Sequence, residues 1–230
     1  MPREPIPLIR KGGFLEAEKM FVLSYEGTET EKKYFEDFRR SDLFNDGGLI
    51  ETISLKRPHN HGSHPISVKK LLQEAKRDYR FGDTDGFWLI IDRDQWEQIH
   101  HYDFDKLVMD CKMEKNFFLA MSNPCFEVWL LLHLVDIHAL PEDEKQKIFV
   151  NEKINKRKNY IDVLLGEYIG RGYNKRANPD IFLPQTKVAI TRAIMMDDGL
   201  QDYPKYLGSH VYKLIQKLMK SSVSKPPKDV

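Results

Sequence analysis

The chain has 230 residues, of which 31% are charged and 11% are aromatic, and its formal net charge is +1. This composition fits one large globular domain, or a core domain with a smaller appendage. It argues against a membrane protein, since no apolar run approaches the roughly 20 residues that cross a bilayer. The N-terminus lacks the apolar stretch of a signal peptide, and the two cysteines form neither a CxxC pair nor a disulfide framework. We therefore expect a cytoplasmic protein with no membrane partner.

Strand-like runs alternate with helical patterns in the first 140 residues. The strand-like runs cover 20–25, 49–55, 87–91 and 116–121, and the spacing of apolar residues predicts helices over 29–40, 66–80 and 103–115. Such alternation favours a mostly parallel sheet that is covered by helices on both faces. We therefore predict an α/β core over 20–140, preceded by a leader or edge segment over 1–19.

The strand signal fades in the second half of the chain. Ser122-Asn123-Pro124 predicts a helix start with proline at the first helical position, and this apolar helix should run to about Val135. Beyond it, a charged stretch over 142–169 is typical of helix, 170–184 of a loop, and 185–196 and 209–220 of two further helices. The sequence thus predicts a helical extension over 141–220 and a disordered tail over 221–230.

Acidic residues follow two of the predicted strands. Glu26-Gly27 comes after the first strand, and Asp92-Arg93-Asp94 comes after a fully apolar run. Parallel strands end at the same edge of a sheet, where ligands of open α/β folds bind, and residues two apart on an extended chain point to the same side. Converging carboxylates repel one another unless they hold a hard cation such as Mg²⁺. Ordinary solvated turns after strands would leave the same pattern.

Glu127 lies early in the apolar helix, where a carboxylate without a partner would be costly. It is expected either to join the acids at the sheet edge or to form a salt bridge or hydrogen bond with a neighbouring loop. His133, deeper in the same helix, is expected to be a satisfied core histidine. The remaining histidines that we considered lack a recognised zinc spacing and are expected in solvated loops: His59, His61, His64, His100 and His101.

Two basic clusters lie in the second half of the chain. Tyr203 to Lys228 contains six lysines and no acidic residue, and a second cluster comprises Lys153, Lys156, Arg157 and Lys158. A basic surface beside an acidic metal site suits a polyanionic substrate, although a solvated lysine-rich helix would have the same composition.

Three runs of this sequence resemble the RloB family. They are Glu26-Gly27-x-x-Thr30-Glu31-x-x-Tyr34-Phe35, then Asp92-Arg93-Asp94, then Ser122-Asn123-Pro124-Cys125-Phe126-Glu127-x-Trp129-Leu130-Leu131-Leu132-His133. The resemblance covers about Phe21 to Leu134. It is looser towards the C-terminus, where Ser209-His210-Val211-Tyr212-Lys213-Leu214 is similar to an ending of that family.

The RloB family is similar to Toprim domains, the catalytic fold of topoisomerases, primases and related nucleases. By this resemblance Glu26, Asp92 and Asp94 bind Mg²⁺ for phosphoryl transfer, and Mn²⁺ is expected to substitute for Mg²⁺. Glu127 and Glu31 are expected to help place a second metal, and Glu127 is included with the catalytic acids. The resemblance also implies an AAA/ABC-type ATPase partner and a link to defence against phage.

The sequence thus predicts a Mg²⁺-dependent nuclease that hydrolyses phosphodiesters of RNA, tRNA included, or of DNA. One alternative is an interaction or sensor subunit that acts only through an ATPase partner. Another is a haloacid-dehalogenase-like phosphatase, but its Asp-x-Asp normally lies on the first strand and continues to threonine or valine, whereas here Gln95-Trp96 follows. The oligomeric state stays open, a homo-oligomer included.

Overall fold

The computed structural model describes residues 19–27, 29–44, 50–55, 65–78, 81–93, 96, 103–175 and 181–221. The strands are β1 (Lys19–Tyr25), β2 (Ile50–Leu55), β3 (Gly86–Asp92), β4 (Phe117–Asn123) and β5 (Gly208–Ser209). The α-helices are α1 (Thr30–Arg40), α2 (Pro65–Asp78), α3 (Phe104–Met113), α4 (Glu127–Leu134), α5 (Glu142–Val150), α6 (Tyr160–Ile169), α7 (Thr186–Met196) and α8 (Val211–Ser221). Short 3₁₀ turns cover Ile137–Ala139 and Leu183–Gln185.

The described strands form one sheet in the order β2-β1-β3-β4-β5. The first four are parallel, and β5 pairs antiparallel with β4. The chain passes from β1 outward to β2 and then returns to place β3 on the other side of β1, so the strand order reverses between β1 and β3. In open α/β sheets this reversal is the point at which ligands bind, outside the carboxyl ends of the strands. The predicted Toprim-like α/β fold, a mostly parallel sheet flanked by helices, is confirmed.

Helices cover both faces of the sheet because the central strands are apolar on both sides. On β1 the side chains of Phe21, Leu23 and Tyr25 face one core, and those of Met20 and Val22 face the other. The first core also contains buried residues from α1 and from α4 through α8, and the second contains those from α2 and α3. The C-terminal helices therefore share one apolar core with the sheet.

The predicted helix start at Ser122-Asn123-Pro124 is wrong. β4 continues to Asn123, which pairs with Gly208 of β5, and α4 begins only at Glu127. Pro124 thus lies before the helix rather than at its first position. From Val128 to His133 every residue of α4 is buried, which agrees with the prediction of a central helix.

The stretch predicted as helix over 142–169 is two helices. α5 ends at Asn151, whose φ of 48° lies in the left-handed region, and Lys153 then forms a short antiparallel bridge with Asn159. An Asn159–Asp162 capping box begins α6, and Gly170, with φ of 72°, ends it. Gly170 suits that position because it carries no Cβ.

The start of the last helix also differs from the prediction at 209, because Gly208 and Ser209 pair with β4 and α8 begins at Val211. A buried charge network ties this region to the end of α7. Asp197, whose side chain is 6% exposed, lies 3.0 Å from both His210 Nε2 and Lys213 Nζ. It also accepts a hydrogen bond of 2.7 Å from the Tyr212 hydroxyl.

The boundary predicted at residue 140 between a core and an extension stays a prediction. Residues 1–18 of the predicted leader and 222–230 of the predicted tail lie outside the described residues. In the part of the chain that the structure describes, no helix has the length and apolar character needed to span a membrane.

Candidate functional site

Glu26 directly follows β1, on the strand pair where the sheet order reverses. Its N–H donates to the carbonyl of Ile90 at 2.9 Å, which extends the β1–β3 ladder by one step. Its carboxylate accepts two hydrogen bonds, from the Asp92 N–H at 3.0 Å and from the Trp96 indole N–H at 2.9 Å. Only 8% of Glu26 is exposed. The carboxylate is therefore fixed across the carboxyl ends of two neighbouring strands.

Asp92 is the last residue of β3 and is half-buried. It lies opposite Ser122 of β4, and the next N–H, that of Arg93, donates to the Ser122 carbonyl at 2.8 Å. The predicted meeting of the first and third strands at one edge is thus realised for Glu26 and the backbone of Asp92. Asp94 lies outside the described residues, so its place beside Asp92 stays a prediction.

Glu127 begins α4, and its side chain lies close to both α1 and the loop after α6. Its Oε1 is 3.4 Å from the Thr30 hydroxyl and 3.3 Å from Lys175 Nζ. Glu127 is 6% exposed. The salt-bridge alternative for this residue is therefore the arrangement found, with Lys175 as the partner.

Glu31, in the first turn of α1, forms a second buried carboxylate beside Glu127. Its Oε1 accepts a hydrogen bond of 2.8 Å from the N–H of Gly27. Burial and the charge of Glu127 raise the pKa of Glu31 to about 7. A Cβ at position 27 would lie 1.9 Å from Glu31 Oε2, so a larger residue there would have to displace this carboxylate.

The described acids thus form two neighbouring groups, Glu26 with Asp92 and Glu31 with Glu127. The two groups lie near one another, because the charges of both act on the same residue, Cys125. Burial, reinforced by the charges of Glu127 and Asp92, raises the pKa of the Cys125 thiol well above its ordinary value. The thiol therefore stays neutral at physiological pH and is not an activated nucleophile.

The donor set suits a hard divalent cation at the first group, because it offers carboxylates from two neighbouring strand ends, with the Asp92 N–H 3.0 Å from a Glu26 oxygen. Among the residues described by the structure, no three His, Cys, Asp or Glu residues are grouped so that they could hold a metal ion. A complete site therefore depends on Asp94. The second metal predicted at Glu31 and Glu127 stays a prediction, and there the Lys175 ammonium already lies beside Glu127.

Three residues at this edge were not predicted as part of the site: Trp96, Thr30 and Lys175. Thr30 belongs to the same run as Glu26 and Glu31, and Trp96 follows Asp94 by two residues, so proximity in sequence could have suggested both. Lys175 lies in a segment predicted only as a loop, and no sequence signal connects it with Glu127.

His133 is a satisfied core residue, as predicted. It is 2% exposed, its Nδ1 lies 2.8 Å from the carbonyl of Trp129, and its Nε2 lies 3.2 Å from the Tyr34 hydroxyl. Burial lowers the pKa of His133 to about 4, so it is neutral at physiological pH. The other five histidines named above lie outside the described residues.

An α/β sheet of the Toprim-like kind, with acidic residues at the carboxyl ends of its central strands, defines the class of this protein. The family model described as RloB-like protein matches residues 21–218, and the chain therefore belongs to the RloB-like family. This match includes the C-terminal helices, where the sequence resemblance is looser. No curated protein and no solved structure matches the chain.

Proposed function

We propose that this protein is a Mg²⁺-dependent nuclease of the Toprim type that hydrolyses phosphodiester bonds of nucleic acid, with RNA such as tRNA among its candidate substrates. The observation that carries the proposal is the Glu26 carboxylate, which is anchored by the Asp92 N–H and the Trp96 indole where the strand order reverses. This arrangement keeps a carboxylate almost fully buried, which costs folding free energy that an apolar core would not require. The carboxylate lies where ligands bind in open α/β sheets, so a ligand site accounts for it better than core packing does.

In this proposal Glu26, Asp92 and Asp94 hold the cation, with Mn²⁺ able to replace Mg²⁺. A bound cation would polarise the phosphate and lower the pKa of a water molecule. The hydrogen bonds from Asp92 and Trp96 fix the direction of the Glu26 oxygens, so the ligand geometry is set before any cation binds. Glu31, with a pKa of about 7, can accept or release a proton near neutral pH.

Lys175 and Glu127 have a different role in the proposal. Their contact of 3.3 Å places an ammonium group beside the acidic edge, where it balances the charge of Glu127. Burial lowers the pKa of Lys175, but the charges around it, that of Glu127 first, raise this pKa by more, so the lysine remains charged. A phosphate group approaching the edge would meet this positive charge, which reduces the repulsion between the substrate and the carboxylates.

A second candidate is a non-catalytic sensor or interaction subunit of a system with an ATPase partner. It is favoured by the Lys175 ammonium 3.3 Å from Glu127, which partners one of the acids without any cation. An AAA/ABC-type ATPase partner and a role in defence against phage belong to both candidates. A phosphatase of the haloacid-dehalogenase type has less support, since Asp92 ends the third strand along the chain and Glu26 follows the first.

The test is cleavage of tRNA, single-stranded DNA and duplex DNA by the purified full chain with Mg²⁺ or Mn²⁺. Wild-type protein should cleave at least one of these, and Glu26→Gln or Asp92→Asn combined with Asp94→Asn should reduce the rate by at least about 100-fold. Asp83→Asn is the matched control, because Asp83 lies in the turn before β3, at the opposite end of that strand, and its side chain is 85% exposed.

Calorimetric titration with Mn²⁺ separates the two candidates without any substrate. The nuclease is expected to bind Mn²⁺ in the wild type and in Asp83→Asn, and to lose this binding in Glu26→Gln. Cleavage that survives the change of both aspartates would refute the metal assignment. No Mn²⁺ binding together with no cleavage would favour the sensor subunit.

A further inference from the structure

A cleft of about 840 Å³ opens next to the acidic edge. Its lining includes Arg93, which directly follows Asp92, and Asn123 with Pro124 at the end of β4. Residues of α5, of the end of α7 and of the segment 205–207 also line it. The volume lies within the roughly 300–1,000 Å³ that is typical of small-molecule sites, so the cleft can hold a group of nucleotide size but not a duplex.

The described lining residues carry more positive than negative charge. Arg93, Lys145 and Lys205 are cationic, whereas Glu142 is the acid among them. Glu142 lies 2.7 Å from Lys145 Nζ, and Lys205 Nζ lies 3.8 Å from the exposed Asp105 carboxylate, so part of the charge of both signs is already balanced. This excess of positive charge beside an acidic edge is complementary to a phosphate backbone that reaches the edge.

The same cleft presents apolar side chains to solvent. Tyr206 is 83% exposed and Met195 is 53% exposed, although both line a concave surface. A tyrosine ring or a methionine thioether that solvent reaches in a cleft can take up a flat, weakly polar group such as a nucleobase. A site that bound only inorganic phosphate would gain nothing from these side chains.

The segment that carries Tyr206 is anchored on both sides. Asn123 Nδ2 donates to the Pro204 carbonyl at 3.1 Å, and Arg93 Nη1 donates to the Lys205 carbonyl. The preceding Tyr203 is buried and donates to Asp105 at 3.0 Å. The backbone that carries Tyr206 is thus held in a defined place at the mouth of the cleft, and the ring itself is exposed. An ordered backbone reduces the entropic cost of placing the ring against a base.

We propose that this cleft binds an unstacked nucleotide of a single-stranded nucleic acid, with Tyr206 as the stacking platform for the base and Arg93 and Lys205 beside the backbone. The proposal rests on the nuclease function proposed above, and it adds that the substrate is single-stranded at the site of reaction. Single strands are recognised by aromatic platforms in basic grooves, whereas a duplex keeps its bases stacked inside and presents mainly phosphates. A single strand of RNA and one of DNA share this chemistry.

The test measures the binding of fluorescein-labelled 12-nucleotide probes by anisotropy in EDTA, so that no cleavage occurs. The probes are oligo-U, oligo-dT and a duplex DNA of the same length, and the protein is the full chain. Tyr206→Ala should weaken single-strand binding by about 5- to 150-fold, the range for the loss of one base–aromatic stack. Tyr206→Phe should restore it, since the ring is kept. Leu200→Ala, at a residue that is 84% exposed and outside the lining, is the matched control and should bind as wild type.

Tighter binding of oligo-U or of oligo-dT would identify RNA or DNA as the source of the strand. Unchanged binding by Tyr206→Ala, tighter binding of the duplex than of either single strand, or no binding of any probe would overturn the cleft assignment. A cleavage assay with Mn²⁺ on the same proteins distinguishes failure of the cleft assignment from failure of the nuclease proposal. A wild type that binds single strands through Tyr206 but cleaves nothing retains the cleft and removes the nuclease. A wild type that cleaves while Tyr206→Ala keeps the same KM retains the nuclease and removes the cleft.

Discussion

Glu26→Gln is the most informative single change, because it keeps the size of the side chain while removing its charge. Each carboxylate oxygen of Glu26 now accepts one hydrogen bond, from the Asp92 N–H at 3.0 Å and from the Trp96 indole at 2.9 Å. The amide of glutamine has only one acceptor oxygen, so its NH₂ group would face one of these two donors. Losing a hydrogen bond to a charged acceptor costs about 1.5–3 kcal/mol.

We therefore expect Glu26→Gln to lower the free energy of unfolding by about 1–3 kcal/mol in EDTA. For a chain of this length that corresponds to a melting temperature lower by roughly 2–12 °C. Glu36→Gln is the matched control, since Glu36 lies on the outer side of α1 and forms an ion pair of 3.6 Å with Lys32. A surface pair of this kind contributes at most about 1 kcal/mol.

Thermal melts of the wild type and both variants, with EDTA and then with Mn²⁺, check this expectation. Mn²⁺ should raise the melting temperature of the wild type and of Glu36→Gln but not that of Glu26→Gln, because a cation stabilises only a folded state that binds it. Equal stability of the two variants in EDTA would contradict the anchored carboxylate. A full Mn²⁺ shift in Glu26→Gln would contradict its role as a metal ligand.

Three further changes probe the surroundings of the site. The pKa of Glu31 is raised from 4.5 to about 7, so the Glu31 carboxyl binds more protons in the folded state between these values and should lower stability by roughly 3 kcal/mol as pH rises from 4.5 to above 7. The lowered pKa of His133 gives a slope of opposite sign in the wild type and in Glu31→Gln alike, so it cancels when the two proteins are compared. Urea titrations in EDTA should therefore show the wild type losing roughly 3 kcal/mol of stability relative to Glu31→Gln across this range, and a constant difference between the two would refute the assignment. Gly27→Ala should cost about 1–3 kcal/mol by displacing the Glu31 carboxylate, whereas Gly82→Ala, where an added Cβ meets nothing closer than 3.9 Å, should cost less than about 1 kcal/mol in the same titrations. Asp197→Asn should lower stability by about 1–3 kcal/mol, because it leaves the Lys213 ammonium without its carboxylate and weakens the acceptor of the Tyr212 hydroxyl. Asp198→Asn next to it should cost less than about 1 kcal/mol, and equal losses in thermal melts would argue against the network.

The core of the fold could be predicted because its signals are local. The strands β1 and β3 are continuous apolar runs, which is typical of parallel strands buried on both faces. The helices between them show helical spacing of apolar residues. The errors arise where pairing with a distant segment decides the structure. β5 has only two residues, too few for a periodic signal, and its pairing with β4 both extends β4 to Asn123 and delays the start of α8.

The site could be predicted in part for the same reason. Once two parallel strands are placed side by side, the residues that follow them must meet at one edge, and Glu26 and Asp92 do so. The residues that hold the Glu26 carboxylate in place lie at positions that no periodic pattern in the sequence indicates. Trp96 donates to Glu26 from the segment after β3, and the hydrogen bond depends on how that segment returns over the sheet.

The charge balance of the site could not be predicted from the sequence, and Lys175 shows the reason. Burial of Glu127 implies a partner on energetic grounds, but any nearby cation would satisfy that requirement equally well. The fold selects Lys175 because the loop after α6 passes over the start of α4, so the partner is determined by tertiary structure alone. The position of Lys175 also affects where a metal ion could bind. A cation at Glu31 and Glu127 must compete with an ammonium that is already 3.3 Å from Glu127, whereas the group of Glu26 and Asp92 is anchored by backbone and indole N–H donors, which fix its geometry without supplying a full positive charge. Under the proposed function, this balance of charge favours the edge between β1 and β3 as the position of the divalent cation, and the lysine side of the site as the position of the phosphate.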